Sequence, residues 1–202
     1  MVFVQLELTY LPAMDSATPV VIVLGGFAGT GKTTLSKRLA AEFQLPRLSS
    51  DTVGRLITSS KGIKDSHIDV YWLAYDLVFG LCGEFLQHGV SSVLDLNLGW
   101  SFQWQPLDAL NVRYPQTRIV PILLHCSRDI CLERICRRYA EDPTTSEPVE
   151  QYVTVPHSVN VWTFLEHLDR PDVYRIDAAQ PLETVYANVK HILRQHLPKQ
   201  NC

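Results

Sequence analysis

Apolar and polar positions along this chain fall into blocks whose period changes. Val20 to Leu24 are an unbroken apolar run, the pattern of a parallel strand buried on both faces. From Lys32 to Phe43 the period becomes four: Leu35, Leu39 and Phe43 share one face of a predicted helix. "LPRLSSD" gives a short second strand ending near Ser50, and a helix starting near Asp51 carries Val53, Leu56 and Ile57. "TSSKGIKDS" reads as a polar loop. Residues from about 68 to 88 read as a long helix closed by Gly89. "SSVLDLNL" is a third strand and "SFQWQPLDALNVRY" a helix after a loop. "TRIVPILLHC" is a fourth strand, irregular at Pro121, and "RDICLERICRRY" a helix. "AEDPTTSEPVEQYVTVPHS" is polar and proline-containing, so it reads as a loop or mobile lid. "VYRID" is a fifth strand, and the last helix carries Leu182, Val185, Val189 and Ile192.

Strands alternating with helices predict an α/β fold with a mostly parallel sheet and helices on both faces. Ligands are then expected at the carboxyl ends of the strands. Residues 1–19 read as an N-terminal extension, with "MVFVQLELTYL" able to add a strand and "PAMDSATP" a linker. Residues 20–202 form the one domain, with a lid at about 139–158.

The strand-to-helix junction changes the picture from fold to chemistry. Gly26-Phe27-Ala28-Gly29-Thr30-Gly31-Lys32-Thr33 satisfies G-x-x-x-x-G-K-[ST]. Glycines permit backbone angles closed to other residues and let amide N–H groups approach an anion. The following helix points its positive end at that anion. Lys32 is placed to reach the outer phosphates of a nucleotide, and the Thr33 hydroxyl to bind Mg²⁺. Gly26 through Thr34 are the candidate nucleotide-binding set.

Three classes use such a loop: switches, mechanical ATPases and phosphotransferases. Asp95 ends the third strand, where a carboxylate reaches the metal or its water shell. A mechanical ATPase usually carries a second acid next, but here Leu96 and Asn97 follow. No Asn-Lys-x-Asp stretch reads guanine. Asp51, at the end of the second strand, falls on the same rim as the loop. A carboxylate there orients an acceptor hydroxyl and takes its proton. The competing reading is a helix N-cap. Arg55, one turn on, faces the same cleft and suits an anionic group on the acceptor, or is a surface charge. Arg134 and Arg138 share a helix face and are candidates to brace the phosphoryl group or stack on the base, Arg134 first as a catalytic residue and Arg138 second as a donor contact; otherwise they form a solvated basic face. Asn97 either bonds the substrate or ends a strand. Trp72, Tyr75, Trp100 and Trp104 offer an aromatic wall, or core packing.

Bulk numbers constrain partners. The net charge is -3 over 202 residues, with no excess for bulk nucleic-acid binding. No apolar run approaches a membrane span, and the start lacks a secretory pattern, so cytoplasm is the expected compartment. Five cysteines, an odd count without C-x-x-C spacing, predict ordinary reduced thiols rather than a disulfide framework or zinc site. The seven histidines show no metal-binding spacing, and His67 and His157 read as surface or structural residues.

"GGFAGTGKTTLSKRLA", "LSSDTVGRLI", "SSVLDLNL", "LHCSRDICLERICRRY" and "VYRIDAAQPLETV" resemble, in order and spacing, small P-loop kinases. That group holds polynucleotide kinase, chloramphenicol phosphotransferase and zeta-toxin-like kinases, and AAA-family ATPases of kinase type. The resemblance covers about residues 20–195. It implies a P-loop NTPase fold of nucleotide-kinase type with a five-stranded sheet and a small lid, and ATP with Mg²⁺ as donor. It implies Asp51 as general base and Arg55 as acceptor-binding arginine. Asp95 to Asn97 match a strand-end motif near the acceptor, and Arg134 and Arg138 match lid-helix arginines that contact the donor. The arginine lies four residues after Asp51 here and closer than that in polynucleotide kinase. Thr33, where adenylate-kinase-type enzymes carry Gly, argues against a nucleoside-monophosphate kinase. The group does not name the acceptor, which is an unidentified hydroxyl on a small molecule or nucleic-acid end. The alternative is an ATP-binding, slowly hydrolysing module that regulates a protein partner.

Overall fold

Five strands build the sheet, and β1, Val20–Gly25, lies at its centre. The computed structural model describes residues 18–60, 69–144 and 146–196. The expected N-terminal strand, most of the "PAMDSATP" linker, much of the "TSSKGIKDS" loop and His67 lie outside these residues. β2 is Arg47–Ser49, β3 Ser92–Asp95, β4 Arg118–His125 and β5 Tyr174–Asp177. The order is β2-β3-β1-β4-β5, and every pair is parallel. The helices are α1 Lys32–Phe43, α2 Ser50–Ser59, α3 Val70–Gln87 and α4 Ser101–Arg113. They continue with α5 Arg128–Glu141, α6 Glu150–Val153, α7 Pro156–Glu166 and α8 Leu182–Leu193.

The apolar run of β1 is needed because it faces two cores, one on each side of the pleat. Val20, Ile22 and Leu24 pack with Leu35 and Leu39 of α1 and Val185 and Val189 of α8. Val21 and Val23 pack with Tyr75 and Val78 of α3 and Leu107 and Leu110 of α4. The chain leaves β1 toward β2 on one side and later crosses to β4 on the other. The crevice where the winding reverses is therefore at the carboxyl end of β1, between β3 and β4.

Most predicted elements are present, with informative differences. Pro121 does not break β4, because β5 pairs only from Ile122 onward and Pro121 has a neighbour on one side alone. β3 is shorter than "SSVLDLNL", although Leu96 still donates to the Leu24 carbonyl at 3.0 Å. Leu98, at φ 55°, then turns the chain away. The segment expected as a loop or lid is partly helical: α5 runs on to Glu141, and α6 and the start of α7 follow. Pro156 opens α7 with its backbone angle preset. Val161 and Leu165, one turn apart, bury in a third cluster with Phe27, Leu123, Cys131 and Ile135. This cluster fastens α5 and α7 to the phosphate-type loop.

Candidate functional site

The loop after β1 has the backbone its glycines allow. Gly26, Gly29 and Gly31 have φ of 137°, 83° and 89°, a region that L side chains rarely enter. A Cβ on Gly29 would stand 2.5 Å from the Cys131 carbonyl oxygen. Gly31 caps α1 and has nothing within 4 Å of the Cβ position. The loop is thus tight beneath and open above, which suits a cradle for an anion at a helix N-terminus. Gly29→Ala is expected to destabilise the fold by about 1–3 kcal/mol, since strain and overlap act together. Thermal denaturation of the variant checks this, and an unchanged midpoint would contradict the geometry.

Lys32, the first residue of α1, turns its ammonium back onto the Phe27 carbonyl at 2.9 Å. Burial pushes its pKa down, while the carboxylates of Asp95 and Asp51 push it up. A half-buried ammonium held mainly by a carbonyl has capacity left for an anion. Thr30 spans the loop, its hydroxyl donating to the Phe27 carbonyl at 2.8 Å. Phe27 packs edge-on against Trp162 of α7, with ring centroids 5.0 Å apart, and against Tyr152 of α6 at 6.1 Å. Thr33 is exposed on the opening turn of α1, and Thr34 beside it is exposed too.

The strand ends bring the other candidates to this rim. Asp95 closes β3 and is 5% exposed. Its Oδ2 accepts from the Ser36 hydroxyl at 2.9 Å and pairs with the Arg47 guanidinium. Arg47 Nε also donates to Ser36 Oγ at 2.7 Å. Sequence reasoning missed Arg47 and Ser36; the grip joins β2, β3 and α1, and only the strand order brings them together. Asp51 is exposed in the first turn of α2. It is not the N-cap: Ser49 caps α2, its Oγ accepting from the Thr52 amide at 3.4 Å. The capping alternative for Asp51 is thereby overturned, and its carboxylate is near enough to favour the Lys32 charge. Arg55, also exposed, donates to Thr52 Oγ1 at 3.5 Å on its own helix.

The two lid-helix arginines part company. Arg134 Nη1 donates to the Ala178 carbonyl at 2.9 Å and reaches the Gly29 carbonyl at 3.4 Å. It stitches the loop to the turn after β5, so the arginine expected first to brace the phosphoryl group is turned to backbone carbonyls and Arg138 is the one left open. Arg138 is exposed and acts on Lys32 with like charge. It also neighbours Tyr152.

Asn97 serves two roles at once. Its carbonyl accepts from the Gly26 amide at 2.8 Å, and its Nδ2 donates to Tyr71 Oη at 3.1 Å. Tyr71 Oη also meets His157 Nε2 at 3.1 Å and Tyr75 Oη at 3.2 Å. This polar cluster joins α3, α7 and the β3–α4 turn beside Asp51, which acts electrostatically on the Tyr75 phenol. Tyr71 was not legible as a site residue, and His157, read as surface or structural, is part of the cluster. The aromatic residues divide. Trp104 is core, 5% exposed, with the Arg170 guanidinium 4.5 Å above its ring. Trp72 is 47% exposed and packs on Phe102 at 3.9 Å between centroids. Trp100 lies 4.9 Å from His157. Among the described residues no helix is long and apolar enough to cross a membrane.

Comparison with known proteins agrees with this architecture. A family model described as an AAA domain matches residues 21–154. None of the curated proteins matches the sequence. A crystal structure from Chloroflexus aurantiacus, whose kinase assignment is itself provisional, is 22% identical, with a TM-score of 0.65 over 90% of this chain and 100% of the other. A gluconokinase from Sinorhizobium meliloti 1021 is 22% identical, with a TM-score of 0.57 over 89% of this chain and 94% of its own. A sugar kinase from a Janibacter species is 18% identical, with a TM-score of 0.58 over 88% and 95%. At these identities the likeness shows the fold, an α/β P-loop NTPase.

Proposed function

We propose that this chain, which belongs to the AAA domain family, is an ATP-dependent kinase that transfers the γ-phosphoryl group to a hydroxyl of a small molecule or nucleic-acid end. The observation that carries the reading is Asp51, an exposed carboxylate spared from capping and near enough to half-buried Lys32 to favour its charge. A switch or a mechanical ATPase has no need of a base at that strand end. The position after Asp95, where a hydrolytic enzyme would carry a second acid, is Leu96, only 1% exposed and packed in the core.

In this reading the amides of Gly26 to Thr33 and the Lys32 ammonium hold the donor phosphates. Among the described residues no three His, Cys, Asp or Glu side chains converge on a point. A divalent cation would then be held by the Thr33 hydroxyl, phosphate oxygens and water, with the paired Asp95 touching its water shell. Bound Mg-ATP supplies the phosphoryl group and neutralises part of its charge. Asp51 takes the acceptor proton while the acceptor oxygen bonds to the γ-phosphorus, and the bond to the bridging oxygen breaks to release ADP. Arg138 braces the transferred group from α5, and Arg134 keeps the loop in place through Gly29. Arg55, Asn97 and the Tyr71–His157 pair frame the acceptor, with Trp72, Phe102 and Trp100 offering ring faces.

The test is label transfer from γ-labelled ATP with Mg²⁺ to a panel of alcohols. The gluconokinase and sugar kinase neighbours make polyols the first arm. Neutral aromatic alcohols, amino-alcohols, nucleosides and 5′-hydroxyl oligonucleotides are the others. One acceptor is expected to take the label. ATP bound or slowly hydrolysed, with no acceptor labelled across the panel, would count against the kinase and for a nucleotide-dependent module acting on a protein partner.

A further inference from the structure

Two thiols lie directly under the phosphate loop, and the phosphoryl chemistry uses neither. Cys126 follows β4 and is half-buried; Cys131 sits in the first turn of α5 and is fully buried. Their sulfurs are 3.2 Å apart. Cys131 also forms the floor beneath Gly29. A Cβ on that glycine would stand 2.5, 3.0 and 3.1 Å from the Cys131 carbonyl oxygen, Cα and carbonyl carbon. The next turn of the same helix carries Arg134, whose guanidinium reaches the Gly29 carbonyl. No slack therefore separates the first turn of α5 from the loop. Cores are bistable rather than continuously deformable, so a shift of one is passed to the other.

We infer that Cys126 and Cys131 are a modification site: a dithiol that a peroxide closes to a disulfide, weakening nucleotide binding at the loop above it. The partly exposed Cys126 reacts first. Its sulfur attacks peroxide; an S–O bond forms, the O–O bond breaks, and one water leaves. The Cys131 sulfur then attacks the Cys126 sulfur; the S–S bond forms, the S–O bond breaks, and the two protons leave with oxygen as a second water. The sulfurs together lose two electrons and the peroxide is reduced to two waters. Burial pushes the Cys131 thiol up to about 12, so Cys131 is the poorer first nucleophile and the half-buried Cys126 is the one that meets peroxide. An S–S bond is about 2.0 Å long, so closure draws the sulfurs in from 3.2 Å. The displacement falls on the Cys131 backbone, hence on Gly29 and the amides of the cradle.

The test compares the full chain before and after graded hydrogen peroxide, then after dithiothreitol. Peptide mapping reads the bond, titration of a fluorescent ATP analogue reads affinity, and amide exchange of the Gly26–Thr33 segment reads the loop without nucleotide. Oxidation is expected to yield the 126–131 disulfide and to lower affinity by about tenfold, a usual size for two coupled sites. Thiol reductant should restore it. Cys126→Ser should bind the analogue like the reduced chain and ignore peroxide. Cys136→Ser, which removes an exposed thiol elsewhere on α5, should respond like the parent. Absence of the 126–131 bond after oxidation would overturn the inference. So would a bond that changes neither affinity nor loop exchange. Should the reduced chain fail to bind the analogue, the nucleotide reading fails, while the map and the exchange still decide the dithiol.

Discussion

Lys32→Ala is expected to lower label transfer by about 10³-fold, the scale for losing one preorganised charge at a developing oxyanion. The expectation follows from what the ammonium does without ligand. It is half-buried at the head of α1, bonded to a loop carbonyl, and its charge is opposed by desolvation. Holding an ion there costs stability and is offset only when an anion arrives. The variant should therefore fold at least as well as the parent while losing the rise in melting temperature that ATP gives. For the parent that rise corresponds to about 2.7 kcal/mol when ATP is at a hundred times its dissociation constant. Lys32→Met, which keeps most of the stem, should behave like the alanine variant, tying the loss to the charge. Differential scanning with and without ATP, beside the transfer assay, reads both halves. A variant that transfers at the parental rate would remove Lys32 from the mechanism. One that simply unfolds would show that the side chain is structural.

The loop and its two flanks were legible because their signals are local. An apolar run, closely spaced glycines and a four-residue period each sit within a few positions of one another, and β1 and α1 follow them. The partners around the loop were not, because a parallel sheet joins positions far apart in sequence. Arg47 and Asp95 are 48 residues apart, Ser36 and Asp95 are 59, and Tyr71 and His157 are 86. No local spacing announces such pairs. α7 failed to show for a different reason: Pro156 closes a polar, proline-bearing stretch, and turn chemistry masked the Val161–Leu165 face. Leu56 marks the limit of pattern reading on α2. It was grouped with Val53 and Ile57, yet it is 64% exposed while Ile57 is 7% exposed. Asp51 shows the opposite case. Its residue type fitted both a cap and a base, and only the backbone, by giving the cap to Ser49, separates the two.

That separation makes Asp51→Asn the sharper experiment. Transfer to the acceptor is expected to fall by about 10²- to 10⁴-fold, the range for losing a positioned general base. Stability should change little. The residue is exposed in the first turn of α2, where a carboxylate's interaction with the helix dipole is worth about 0.3–1 kcal/mol. Ser49→Ala gives the mirror image: loss of the cap costs about 1 kcal/mol of stability and leaves the carboxylate in the protein. If Asp51 mattered only for the helix, the two variants would rank by stability, and the serine variant would be the weaker enzyme. If Asp51 is the base, the ranking of activity inverts. ATP affinity gives an independent sign. Asp51 is one of two carboxylates whose charge favours the protonated Lys32, and it also repels the phosphates that Lys32 is to hold. Neutralising it removes the repulsion while Asp95 remains, so binding of ATP should be unchanged or tighter even as transfer collapses. Weaker ATP binding in step with lost activity would assign Asp51 to the donor site instead, and full activity would remove it from the chemistry.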